Sequence, residues 1–284
     1  MLIGTLIGIS LAAAAGICIV AGAFAGLCWL WLLPLCCLGI FLLLAALWFL
    51  MLVLMANSVD MNKTQEKDSP FYRKVIDLTI GALVVILRIR IRTQGKELIP
   101  KEGRFLLVCN HLHEADPVVL LRVFRKSQLA FISKQENDTR FLIGPFLRKI
   151  LCQPINREND REALKTILNC IRLIKEDTVS IAVFPEGWVS LDKLLHPFRG
   201  GVFKIAQKAN VPVVVCTLRN TYDIYENISK GKGMEVELHI AGVIPAEDLK
   251  GRTAVDIAQQ AHDMMAKDLG PDLVLPAEEN AEST

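Results

Sequence analysis

Residues 104–124 read "RFLLVCNHLHEADPVVLLRVF". An apolar run at 105–109 has the length and composition of a buried strand. Polar residues follow, and then "DPVVLLRVF" opens a helix, with Pro117 at the first helical position and Asp116 as its N-cap. A strand that turns directly into a helix is half of a βα unit. In open α/β sheets the carboxyl ends of the strands line the ligand crevice, so His111 stands where chemistry is usually done.

The same alternation continues outward from this stretch. Strands are expected near 88–93, 104–109, 128–133, 179–184, 212–218 and 234–241, and helices near 117–125, 139–150, 159–175, 200–209 and 253–268. The fold class that follows is α/β, with a mostly parallel central sheet flanked by helices.

The 284 residues divide into unlike regions that a formal charge of +2 averages away. No charged side chain and no histidine occurs before Asp60. Residues 2–33 and 35–56, divided by Pro34, are each long enough for a bilayer, which takes about 20 apolar residues. Trp29 and Trp31 suit an interfacial belt. The expectation is a transmembrane helical hairpin at 1–56 and a linker at 57–69. An α/β domain is expected at 70–270 with an interfacial first helix, and a disordered tail at 271–284. Lys63, Lys67, Arg73 and Lys74 follow the second span, so the domain after it is expected on the cytoplasmic face of the cell membrane. The eight cysteines include no C-x-x-C, so neither a disulfide framework nor a zinc ribbon is indicated.

"NHLHEADP" at 110–117 admits three readings. It can be a helix start. It can be a His111–Asp116 pair in which the carboxylate fixes the imidazole while the free ring nitrogen takes a proton from a hydroxyl. On one continuous helix these two residues would stand about 140° apart, whereas across a strand–turn–helix junction they can meet. It can also be a metal cluster of His111, His113 and Asp116, but His196, His239 and His262 supply no paired arrangement to complete it. His113 and Glu114 then read as solvated turn residues, and no metal is expected.

"SIAVFPEGWVS" at 180–190 repeats the pattern of a strand ending in a polar turn. Glu186 there needs a partner, and Gly187 lets backbone N–H groups approach a ligand. "HPFRGGVFKIAQKA" at 196–209 opens a helix with Arg199, Gly200 and Gly201, a start suited to phosphate. Residues 88–175 are rich in Lys and Arg, which beside a membrane favours anionic lipid; without basic–aromatic interleaving, nucleic acid is not an expected partner.

Asn110-His111 with Asp116, Arg157, "FPEG" at 184–187, Phe198 with Gly200, and the Val-Pro of "NVPVVVCTL" resemble, in this order, the glycerolipid acyltransferase family that includes the 1-acyl-sn-glycerol-3-phosphate O-acyltransferases. The similarity covers about residues 85–245. It implies His111 as general base and Asp116 as its orienting carboxylate. It implies Arg157, Glu186 and Gly187, with Lys134, Arg199 and Gly200, as the acceptor-binding residues. The implied reaction moves a fatty acyl group from acyl-CoA or acyl-carrier protein to a lysophospholipid, giving phosphatidic acid, with no cofactor beyond that co-substrate. The family usually continues FPEG with Thr-Arg, and the arginine helps hold phosphate; here Trp188 and Val189 stand in those places. Lys134, Lys193 or Arg199 would then replace it, or the acceptor is another lysolipid or glycerol-3-phosphate. A metal-dependent lipid hydrolase built on His111, His113 and Asp116 is the alternative from a different class.

Overall fold

The computed structural model describes residues 1–22, 24 and 26–276. Three helices come first: α1 (Leu2–Val20), α2 (Trp29–Asn57) and α3 (Pro70–Ile86). The expected break at Pro34 is not there. Pro34 lies inside α2 as its sixth residue, where membrane-type helices tolerate a missing N–H. The chain breaks instead after α1, at Gly22, whose positive φ of 64° ends the helix while its N–H caps the Ile19 carbonyl. Both α1 and α2 are long and apolar enough to cross a bilayer.

Helix α3 serves two neighbours. Ser69 caps it, and Tyr72, Val75 and Ile80 are buried. The Trp48 indole donates to Thr79 Oγ1 (3.3 Å), and the Tyr72 hydroxyl donates to the Met55 carbonyl (3.1 Å), which ties α3 to α2. Phe71, Leu83, Val85 and Ile86 remain exposed on the same helix. Arg73, counted from sequence among the cations after the second span, instead reaches inward: it pairs with Asp68 and donates to the Leu129 and Ile150 carbonyls.

The strands are β1 (Ile89–Gln94), β2 (Leu106–Cys109), β3 (Leu129–Lys134), β4 (Gln153–Ile155), β5 (Ser180–Val183), β6 (Val213–Arg219) and β7 (Met234–Ile244). They form one sheet in the order β1-β7-β6-β2-β5-β3-β4, and only the β6–β7 pair is antiparallel. The flanking helices are α4 (Asp116–Val123), α5 (Ile143–Lys149), α6 (Asp160–Lys175), α7 (Lys204–Ala209), α8 (Ile224–Ser229) and α9 (Ala254–Leu269). This is the expected α/β class. Strand β4 and helix α8 are additional, both too short to produce a periodic signal.

The strands at the centre are buried on both faces, as a parallel sheet covered by helices requires. The tail does not leave the domain at 271: the Leu195 N–H donates to the Leu273 carbonyl (2.8 Å) and the Leu275 N–H to the Leu195 carbonyl (3.1 Å). The remainder of that expected tail, 277–284, lies outside the described residues.

Candidate active site

Sheet register brings the motifs together. Val108 of β2 lies opposite Val183 of β5, so residues 109–111 and 184–186 leave the sheet side by side. Cys109 lies opposite Cys216 of β6, which sets Asn110 beside Leu218. The Asn110 amide donates to the Leu218 carbonyl (3.0 Å) and accepts from the Leu218 N–H (2.7 Å), closing the carboxyl edge of the sheet with a two-bond clamp.

His111 Nδ1 lies 2.9 Å from Asp116 Oδ2. That oxygen also accepts the N–H groups of Leu112 (2.7 Å) and His113 (2.9 Å). Asp116 is therefore not the N-cap expected from sequence. It is the first residue of α4, and its side chain turns back to close the loop before it rather than forward onto the helix. It is fully buried, and Oδ1 has no partner among the described residues. A carboxylate held by two backbone donors cannot swing away, so the imidazole it meets has one orientation. With Nδ1 against Asp116, Nε2 is the nitrogen left for an incoming hydroxyl.

His113 differs from expectation. It is buried rather than solvated: its Nδ1 accepts the Ala115 N–H (3.1 Å) and its ring meets Tyr225 edge-on at 4.4 Å. Glu114 is exposed. Among the described residues no group of three or more His, Cys, Asp or Glu side chains is arranged to hold a metal ion.

Glu186, expected to face the acceptor, is closed off by the protein itself. It has no exposed surface; Oε1 accepts the His111 N–H (2.9 Å), and Oε2 accepts the Ser190 hydroxyl (2.6 Å) and the His196 N–H (3.1 Å). Burial pushes its carboxyl above the ordinary range, against the lowering effect of these three donors.

Gly187, at a φ of 92°, presents its carbonyl to Arg157 Nη1. A Cβ on Gly187 would lie 3.0 Å from Arg199 Nε, so a residue without a side chain is what lets Arg199 lie there. Arg199 also sits over the Trp188 ring, 5.7 Å from its centroid. Burial first, and the nearby Arg199 second, pull the Arg157 guanidinium below its ordinary value; Glu136 opposes them. Neither arginine forms an ion pair among the described residues, whereas Lys134 is paired with Glu136 at 2.9 Å and Lys193 lies on the Tyr222 ring at 3.7 Å. Gly200 does not begin a long helix. It starts a 3-10 turn (Gly200–Phe203) that leads into the six-residue α7, and a Cβ there would press on Val255 of α9 at 3.3 Å.

Sequence reading therefore found His111, Asp116, Arg157, Glu186, Gly187 and Arg199, which meet at one end of the sheet. It assigned nothing to Phe184 beyond its motif or to Ser190. Phe184 stacks on the His111 ring at 4.0 Å with an interplanar angle of 14°, and the Ser190 N–H donates to the His111 carbonyl at 2.7 Å. Only their position just after a strand that pairs with β2 could have pointed to them.

The chain is similar to known proteins in sequence and in fold. The pattern of the family described as Acyltransferase matches residues 90–219. The 1-acyl-sn-glycerol-3-phosphate acyltransferase of Bacillus subtilis is 30% identical over 54% of this chain and 75% of that protein. A probable 1-acyl-sn-glycerol-3-phosphate acyltransferase of Mycoplasma pneumoniae is 28% identical over 58% of this chain and 62% of its own length. The crystal structure of the 1-acyl-sn-glycerophosphate acyltransferase PlsC from Thermotoga maritima superposes with a TM-score of 0.58 at 21% identity, covering 83% of this chain and 96% of that one. The family pattern spans both His111 and Glu186, and the chain belongs to the acyltransferase family that contains the 1-acyl-sn-glycerol-3-phosphate acyltransferases.

Proposed function

We propose that the chain transfers a fatty acyl group from a thioester, acyl-CoA or acyl-carrier protein, to the free hydroxyl of 1-acyl-sn-glycerol-3-phosphate, giving phosphatidic acid. The observation that carries this reading is the His111–Asp116 pair at 2.9 Å, at the same end of the sheet as Arg157 and Arg199 of the Gly187 turn, neither of which forms an ion pair among the described residues. His111 Nε2 takes the hydroxyl proton as the oxygen attacks the thioester carbonyl. The new C–O bond forms, the C–S bond breaks, and the imidazolium returns its proton to the departing thiolate. Asp116 keeps the ring in register and balances its transient charge.

Arg157 and Arg199 hold the acceptor phosphate, in keeping with guanidinium recognition of phosphate oxygens. Of the three cations that could replace the arginine absent at position 189, Arg199 is favoured because Lys134 is engaged by Glu136 and Lys193 by Tyr222. Gly187 keeps the backbone low beneath that phosphate. Helices α1 and α2 anchor the protein in the membrane, with the catalytic domain on the cytoplasmic side next to Lys63, Lys67 and Lys74.

The test follows thiol release from acyl-CoA by the full chain in membranes, with lysophosphatidate, glycerol-3-phosphate and a monoacylglycerol as acceptors. Release with lysophosphatidate that survives a chelator and vanishes in His111→Ala supports the reading. Equal or greater turnover with the phosphate-free acceptor overturns the acceptor, and chelator-sensitive lipid hydrolysis overturns the reaction.

A further inference from the structure

One short segment, 184–190, meets both backbone groups of His111 and one face of its ring. Its backbone N–H donates to Glu186 Oε1 (2.9 Å), and its carbonyl accepts the Ser190 N–H (2.7 Å). Its ring lies flat on Phe184 at 4.0 Å, and Phe184 in turn stacks on Phe131 of β3 at 6.3 Å and 17°. Glu186 is itself pinned by the Ser190 hydroxyl and the His196 N–H. The whole of 184–190 thus forms a cradle, seated on β5, around the residue that leaves β2.

A substrate-binding carboxylate would need a face toward solvent or ligand, and Glu186 has none. Every oxygen it offers already meets a donor of the chain. The Asp116 contact fixes rotation of the imidazole within its own plane, at Nδ1. It does not by itself stop the ring from tilting out of that plane. The Phe184 face does, and it also presents π density to the ring when the ring carries a proton.

We infer that Phe184, Glu186 and Ser190 are positioning residues that hold the His111 imidazole for proton transfer, and that Glu186 does not touch the acceptor. This rests on the reading of His111 as the base. A misplacement of about 1 Å in a reacting group costs on the order of 100-fold in rate. The cradle therefore acts on turnover and leaves acceptor affinity alone.

Two measurements on the full chain in detergent micelles test this. The first is steady-state kinetics with acyl-CoA and lysophosphatidate for Phe184→Leu, Glu186→Ala and Glu186→Gln. The expected result is kcat lower by about 100-fold in Phe184→Leu and Glu186→Ala, with acceptor KM unchanged, and partial recovery in Glu186→Gln, which keeps an oxygen for the His111 N–H. The second needs no acceptor: the rate at which diethyl pyrocarbonate modifies His111, read by mass spectrometry. A loosened ring in Phe184→Leu and Glu186→Ala reacts severalfold faster than in the parent. If Glu186→Ala does not fold, Phe184→Leu carries both measurements. A rise in acceptor KM with kcat preserved, or modification rates equal to the parent's, overturns the inference. If the parent chain transfers acyl groups to no acceptor, the functional reading falls, and the modification rates still decide whether the cradle positions His111.

Discussion

Asp116 Oδ2 lies 2.9 Å from His111 Nδ1 while accepting two backbone N–H groups from the loop between them. One oxygen thus sets both the loop and the ring. Replacing it with an amide alters the donor–acceptor order at Nδ1, because an amide nitrogen donates where the carboxylate accepted. Asp116→Asn is expected to lower kcat by about 100- to 10,000-fold with little change in acceptor KM, read by thiol release from acyl-CoA. Retention of more than half the activity would refute the role given to Asp116.

Arg157 and Arg199 both reach the Gly187 turn, and neither forms an ion pair among the described residues. Arg199→Ala should raise the KM for lysophosphatidate by about tenfold or more, since a hydrogen bond to a charged group contributes about 1.5–3 kcal/mol. Turnover of a phosphate-free acceptor should be unaffected. An equal loss on both acceptors would mean that Arg199 supports the Trp188 turn rather than the phosphate.

Asn110 clamps both backbone groups of Leu218 at full burial. Asn110→Ala leaves a buried N–H and a buried C=O without partners, at a cost of about 2–4 kcal/mol. The melting temperature in detergent should fall well below that of an exposed Asn→Ala control such as Asn62→Ala; equal melting would show that the clamp contributes nothing.

His262 on α9 packs edge-on against Phe198 at 5.0 Å, and burial holds its imidazole below the ordinary histidine value despite the neighbouring Asp263. An unfolded chain takes up this proton near pH 6.5, whereas the folded chain does so only at lower pH. Because the unfolded state then binds more protons, the His262 contribution to stability is full above pH 6.5 and declines as the pH falls below it. Melting curves between pH 7.5 and 5.5 should show a smaller acid-side loss in His262→Gln than in the parent. Parallel losses in the two proteins would rule His262 out as a source of the slope.

Much of the fold could be read from local pattern. The strand–turn–helix at 104–124, the polar turn after β5 and the uncharged first 59 residues each carry their signal within a short window, because burial, turn chemistry and bilayer thickness act over short stretches of chain. The departures from that pattern are equally local. Pro34 has the residue type of a break that Gly22 makes, and Asp116 that of a cap although its side chain turns backward. In each case a residue type compatible with two local geometries was settled by its neighbours.

The amino-acid order alone determined that an imidazole and a carboxylate stand five residues apart after a buried strand, and that FPEG follows another. Tertiary structure decided what each meets. Pairing of β2 with β5 sets residue 111 against residues 184–190, more than 70 positions later, and turns Glu186 inward to the His111 N–H. No periodicity in the chain encodes that contact. It exists because parallel strands adjacent in the sheet deliver their following turns to the same edge, and because a buried carboxylate must find donors wherever the register puts them.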